Sequence, residues 1–403
     1  MIKIPLALAR QLTLSAQGLL TTSEWLAGKE GTAQVIEQLG YIQIDTIAVI
    51  QRAHQHTLWA RVPDYAPAHL DELLACDRRI FEYWRGTGAS YLPMNDYRFY
   101  RYLMDQHASS ERSRVWLAQN QALVEHVLGR LRDEGPLSSV SFAASEGFKR
   151  GTWWNRKPAK VALEMLLDMG QVMVSRRDHF TRVYDLSERV LPVHLVLDKP
   201  DEDEMAAFAV QRALYSLGII AAQEGAWGLV SKPRAAQALQ RMVDSDQVTA
   251  VRIETLEDET YYVCSDSLQS GPELTPSRLH ILAPFDNLVI SRLRLKRLFG
   301  LDYQLECYLP VQQRKVGYYS LPVLWGDQFV ARLDPKAERS SKTLIIRNLV
   351  LEPGADDGSF SLPLAQKLAD LARFNHCQRV LFERSEPASL AQVMAARMDS
   401  LIS

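Results

Sequence analysis

Apolar positions recur at helical spacing over residues 6–20 and again over 32–39, where Gly40 stands as a C-terminal stop. Residues 41–45 alternate instead, with Ile42 and Ile44 on one side and Gln43 and Asp45 on the other, as in a short strand. Thr46 is placed to cap a third helix through Ile47, Ile50 and Ala53. Residues 115–190 show a clearer rhythm. A helix over 116–132 stops at Gly135-Pro136, and an amphipathic helix over 157–169 closes at Gly170. Strands follow at 172–174 and 181–186, joined by Ser175-Arg176-Arg177-Asp178. Helices over 201–218 and 232–244, then strands at 248–253 and 260–263, repeat the order. Beyond about residue 271 the texture changes to short strands at 303–308, 316–324, 328–334 and 344–351, which suggests a β-barrel or sandwich. A last helix is expected over 362–374.

Helix, helix and two-stranded ribbon is the winged-helix pattern, a module that sets one helix in a DNA groove and lays its wing along the phosphates. Three such units are expected, the first being the least regular. The chain thus reads as α+β: three tandem winged-helix domains over residues 1–114, 115–195 and 196–270, then a C-terminal β-barrel domain over 271–403.

The length, 403 residues, is itself too great for one ordinary core. No apolar run reaches the roughly 20 residues that span a bilayer. The opening stretch is interrupted by Arg10 and Gln11 and reads as a first helix rather than a signal peptide. Cys76, Cys264, Cys307 and Cys377 are scattered, which supports neither a disulfide framework nor a zinc knuckle, and a cytoplasmic, nucleoid-associated protein is expected. A formal net charge of -2 excludes a histone-like coat but not a local basic face. Two stretches are basic: Lys149, Arg150, Arg156, Lys157, Lys160, Arg176, Arg177 and Arg182, and later Arg292, Arg294, Lys296, Arg297, Arg314 and Lys315. Either also fits a solvated helix face.

The most specific chemistry lies at Gln43-Ile44-Asp45. On an extended segment, side chains two apart share a face, so a carboxylate and an amide converge on one small molecule. A carboxylate takes a proton from water, and an amide orients that water by donating and accepting. The same spacing fits a polar strand edge or a cap for the next helix. His54 and His56, two apart on a helix, point apart and have no third ligand nearby, so a phosphate or structural contact is expected and no metal. Trp153 and Trp154 fit either base stacking or a core. Arg176, Arg177 and Arg182 flank the expected wing, where phosphate contact or plain solvation is open.

Tyr41-Ile42-Gln43-Ile44-Asp45-Thr46-Ile47 resembles the Gln-x-Asp or Gln-x-Gln motif of the AlkZ/YcaQ DNA glycosylases. The likeness runs on through Arg52, His54 and Leu58-Trp59-Ala60-Arg61, and through Phe81-Glu82-Tyr83-Trp84 to Leu92-Pro93. Trp153-Trp154, Arg182-Val183-Tyr184-Asp185-Leu186 and Glu188-Arg189-Val190-Leu191-Pro192 look like the family's second winged helix. Ala283-Pro284-Phe285-Asp286, Leu305-Glu306-Cys307-Tyr308, Gly317-Tyr318-Tyr319 and Leu333-Asp334-Pro335-Lys336 look like its barrel.

What the resemblance implies is a monofunctional glycosylase without cofactor, in which Asp45 is the general base or electrostatic partner and Gln43 positions the water. Its partner would be double-stranded DNA carrying N7-alkylated, bulky adducted or crosslinked purines, bound by a monomer. Arg52, His54, Arg61, Lys157, Arg176, Arg177, Arg182 and Arg292 are the expected DNA contacts. The chain departs from the family between Trp84 and Leu92, which lacks a frequent histidine, and after Asp286, where Asn287 to Arg292 replace a Trp-Asp-Arg ending. The rival reading is a non-catalytic winged-helix DNA-binding protein, either a transcription regulator or a damage-binding protein. It leaves the Gln-x-Asp block without a role.

Overall fold

The computed structural model describes residues 1–20, 25–86, 88–142, 158–272 and 278–402, so the expectations for Lys149, Arg150, Trp153, Trp154, Arg156 and Lys157 lie outside the described residues. Strand β1 (Ile2–Ile4) and helix α1 (Leu6–Ala16) open the chain, followed by α2 (Gly28–Leu39). Gly40 ends α2 in the left-handed region, φ 73°, its N–H donating to Ile36 O at 2.9 Å. A side chain there would meet Arg212 Cδ at 2.9 Å. Strand β2 (Ile42–Gln43), helices α3 (Ala53–Trp59) and α4 (Pro67–Ala75), and strands β3 (Ile80–Arg85) and β4 (Gly88–Pro93) complete a first unit, whose sheet runs β2-β4-β3.

Helices α5 (Tyr97–Ser109), α6 (Glu111–Gln119) and α7 (Gln121–Glu134) lead to β5 (Leu137–Ser138), α8 (Pro158–Asp168), β6 (Val172–Asp178) and β7 (Thr181–Leu186). The helix expected over 116–132 is two helices. Asn120 breaks it, its side-chain amide turning back to Trp116 O at 2.9 Å. The expected hairpin is three-stranded, in the order β5-β7-β6.

Helix α9 (Ser187–Val190) closes the second unit, and a third holds α10 (Glu202–Leu217), β8 (Ile219–Ala221), α11 (Lys232–Asp244), β9 (Val248–Ile253), β10 (Leu256–Cys264) and α12 (Ser265–Ser270). Asp201 starts α10 with a capping box, accepting the Asp203 and Glu204 amides at 2.8 Å each while Glu204 takes its own N–H at 2.9 Å. The sheet order is β1-β9-β10-β8, with β1 parallel to β9. The first residues of the chain therefore finish the third sheet, a pairing across some 250 positions that local patterning does not reveal.

The last part contains β11 (Leu279–Ile281), α13 (Asn287–Ile290), α14 (Arg292–Phe299), β12 (Leu321–Trp325), β13 (Gln328–Glu338), β14 (Thr343–Leu351), α15 (Asp357–Phe374), β15 (Arg379–Phe382), β16 (Ser385–Glu386) and α16 (Ala388–Ile402). Among the described residues its sheet is open, running from β11 to β15 with β16 beside β14, and not a closed ring. Leu364, Leu368 and Leu371 of α15 and Leu390 and Met394 of α16 cover it with their apolar faces. One expected strand is absent, and the one expected over 316–324 begins only at Leu321. Residues 303–308 hold only a single turn of 3-10 helix, and 316–320 are irregular because the Glu306 and Asp334 carboxylates take their amides in place of a neighbouring strand. The four cysteines are free. Among the described residues no helix is long and apolar enough to cross a membrane.

Candidate active site

The Gln-x-Asp segment leaves the first sheet at its edge. Gln43 lies opposite Ser90, and Ile44 N–H continues the ladder to Ala89 O at 2.8 Å. There the strand stops. Asp45 Oδ2 accepts the Ile47 amide at 2.9 Å, an Asx turn that replaces the next ladder bond. Thr46 therefore caps nothing, and no helix begins until Ala53. The apolar Ile47 and Ile50, which with Ala53 have the spacing of a helix face, pack instead with Val49 on the last domain. Ile50 is fully buried in its core, Val49 O accepts Ala337 N–H at 3.0 Å, and Gln51 N–H donates to Asn375 Oδ1 at 2.7 Å.

Gly88 leaves room for Gln43: a Cβ on it would sit 2.8 Å from Gln43 Cδ. Asp45 is half-buried and Thr46 exposed, so the carboxyl borders the surface. Burial pushes the Asp45 carboxyl above its ordinary range, while the Ile47 and Thr46 amides and the Arg52 charge oppose the shift. Its negative charge in turn reaches Cys307, Tyr308 and Tyr319, and helps to hold each of them protonated after burial has raised them.

The opposite wall comes from the second unit. The tip of the β6–β7 hairpin carries Phe180, held at φ 84°, whose ring stacks on His54 with centroids 6.0 Å apart. Arg52 and Arg177 lie over the same ring at 4.1 and 4.6 Å. Arg177 and Arg182 both reach the buried Glu82, Arg177 as a two-point contact at 2.8 Å each. His54 is buried and pushed down to about 3 by desolvation and by Arg177 and Arg52, so its ring is neutral. Its Nδ1 faces the Asp45 N–H at 3.5 Å.

The expected DNA contacts thus divide. Asp45, Arg52 and His54 come together with Arg177 of the hairpin, while Gln43 lies two residues before Asp45 against Gly88. Arg177 and Arg182 are tied to Glu82, and Arg176 is exposed but pairs with Asp178 at 3.0 Å. Arg61 is not at the surface: its side chain is fully buried against Asp286. Arg292 is turned inward over Tyr303 at 4.4 Å and donates to the Val289 and Pro284 carbonyls. Among the described residues no group of three or more His, Cys, Asp or Glu is placed to hold a metal ion. What the arrangement offers is a half-buried carboxylate bordering the surface, two residues from an amide and beside arginines paired to a buried glutamate.

The family model described as DNA glycosylase AlkZ-like matches residues 36–374, a span that contains every residue of this site. The chain belongs to the AlkZ-like DNA glycosylase family. Among solved structures, Streptomyces sahachiroi DNA glycosylase AlkZ shares the fold, with a TM-score of 0.64 and 15% identity over 95% of this chain and 100% of that one. The protein is therefore a DNA glycosylase and its substrate is DNA.

In this AlkZ-like glycosylase the residues that sequence reasoning missed are Glu82, Gly88, Phe180 and the Cys307–Tyr319 segment as parts of one site. Phe180 did leave a signal, a single aromatic in an otherwise polar hairpin turn. Glu82 left a weaker one, a charge between Phe81 and Tyr83, both of which are buried.

Proposed function

We propose that the glycosylase hydrolyses the N-glycosidic bond of N7-alkylated and bulky adducted purines, crosslinked ones included, through a water held by Gln43 and Asp45. The observation that carries this reading is the half-buried Asp45 carboxyl, fixed by its Asx turn two residues beyond Gln43, just past the free end of a strand. The bond between C1′ and N9 breaks with its electron pair going to the purine, whose positive charge is thereby neutralised. The water oxygen bonds to C1′, and its proton passes to Asp45. The carboxylate also faces the positive charge that develops on the sugar.

The exposed position of Thr46 and the surface position of Asp45 favour a site open to a groove, which a bulky adduct can enter without being extruded into a closed pocket. We further read the three helix-and-sheet units as tandem winged helices, divided near residues 114 and 195 and followed from about 271 by the sheet domain. The protein acts as a monomer on double-stranded DNA beside the nucleoid.

The test is release of 7-methylguanine and of a nitrogen-mustard crosslink from duplex DNA, followed across pH. Because burial raises the Asp45 carboxyl, the acid limb of kcat/KM should lie above the ordinary carboxylate range. A flat profile down to that range would remove Asp45 from the role of base.

A further inference from the structure

Residues 306–317 form a stiff loop beside Asp45. Its two ends are joined by the buried Glu306, whose Oε2 accepts the Val316 and Gly317 amides at 3.0 and 2.9 Å. Arg314 Nε closes it again, donating to Glu306 O at 3.2 Å and Leu309 O at 3.0 Å, while its guanidinium lies over Tyr318. Leu309, Gln313 and Arg314 amides make three further bonds within the loop, to Glu306, Pro310 and Val311. Yet this braced segment turns two large apolar side chains outward: Tyr308 is 77% exposed and Val311 is 68% exposed. An aromatic on a braced backbone has only its two χ angles left to order, and its exposed ring offers a stacking face.

The loop shares the last domain's core with the residues that follow Asp45: Cys307 and Tyr318 pack on it, as do Ile47 and Val49. The Asp45 charge reaches both the Tyr308 hydroxyl and the Cys307 thiol. An N7-alkylated purine carries a positive charge, and a cation over an electron-rich ring is attracted to its face. The polar Gln312 and Gln313 and the basic Lys315 follow on the same loop, which suits a surface that meets DNA.

We propose that Tyr308 stacks on the cationic damaged purine at the Gln43–Asp45 site and so favours charged lesions over ordinary bases. This rests on the proposed hydrolysis of N7-alkylated purines and adds a recognition residue to it. Tyr308 reads the lesion; Asp45 does the chemistry.

The experiment compares wild type, Tyr308→Ala and Tyr308→Phe on duplexes with and without one 7-methylguanine. Binding is read with a 2′-fluoro sugar at the lesion to block hydrolysis, and release with the natural sugar. Stacking on one base predicts that Tyr308→Ala lowers the lesion-to-undamaged affinity ratio by about 10- to 100-fold and Tyr308→Phe preserves it. The exposed side chain predicts an unchanged Tm for both. An unchanged ratio in Tyr308→Ala overturns the proposal. So does an equal loss on both duplexes, which would make the loop a general DNA contact, or an equal loss in Tyr308→Phe, which would assign the effect to the hydroxyl. Wild type that leaves 7-methylguanine intact would instead bring down the underlying substrate reading, and this proposal with it.

Discussion

Arg61 was an expected DNA contact, and the fold gives it a different task that a pair of substitutions can measure. Its Nη1 and Nη2 donate to the two Asp286 oxygens at 2.6 and 2.9 Å, with both side chains fully buried. Its Nε and Nη1 also reach Gln17 O at 2.7 Å and Thr57 O at 3.0 Å, so one guanidinium joins the end of α1, helix α3 and the start of α13. Asp286→Asn keeps an oxygen for the Leu288 amide that Asp286 caps at 3.0 Å, but it leaves the buried cation without its counter-charge. Breaking a buried pair in this way costs about 3–5 kcal/mol. Each kcal/mol lowers Tm by roughly 2–4 °C in a unit of 150–250 residues, so the loss is on the order of 6–20 °C, towards the lower end if more of the chain melts together. Arg61→Met should destabilise similarly, and the double variant should lose less than the sum. The assay is thermal melting with undamaged-duplex binding at a temperature where all variants are folded. Unchanged melting in Arg61→Met, together with a salt slope reduced by about 0.9, would place Arg61 on a phosphate and refute the argument.

Two further outcomes follow from the site and its surroundings. Gly88→Ala places a methyl where the Gln43 carboxamide now lies, so kcat should fall on the order of 10- to 100-fold with little change in Tm; full activity would show that Gln43 needs no such room. His54 and His56 are buried and pushed down to about 3 and about 4, the first by desolvation with Arg177 and Arg52, the second by desolvation with Lys367 and Arg61 against Asp286. The unfolded chain therefore binds protons that the folded chain refuses, so the contribution is complete above about pH 6.5 and is lost as pH falls towards 4. Urea midpoints should drop across that window and drop less in His56→Gln; a flat midpoint would show that the folded protein accommodates the charged rings.

Much of this architecture is legible along the chain because its determinants are local. Strand β9 and helix α11 begin and end where the pattern places them, since periodicity and flanking turn residues specify both. The errors arise where a distant partner outweighs the local signal. Ile47 and Ile50 have helical spacing but are claimed by the core under α15, and residues 316–320 alternate like a strand but give their amides to two carboxylates. The same holds for charge. Arg177, Arg182 and Arg61 read as surface cations because nothing near them in sequence shows that Glu82 and Asp286 meet them inside. Gln43 and Asp45 are neighbours in sequence and need no distant partner to lie close, but the alternation that put both on one strand ends early: the strand holds Gln43, and Asp45 sits in the turn beyond it.

The central claim is tested most directly by single-turnover release of 7-methylguanine from duplex DNA by wild type and Asp45→Asn. The substitution keeps an acceptor for the Ile47 amide and removes a carboxylate that burial disfavours, so Tm should hold or rise slightly. The account predicts base release by wild type, its loss in Asp45→Asn by about 100-fold or more, and unchanged DNA binding. Release by Asp45→Asn at the wild-type rate would contradict it.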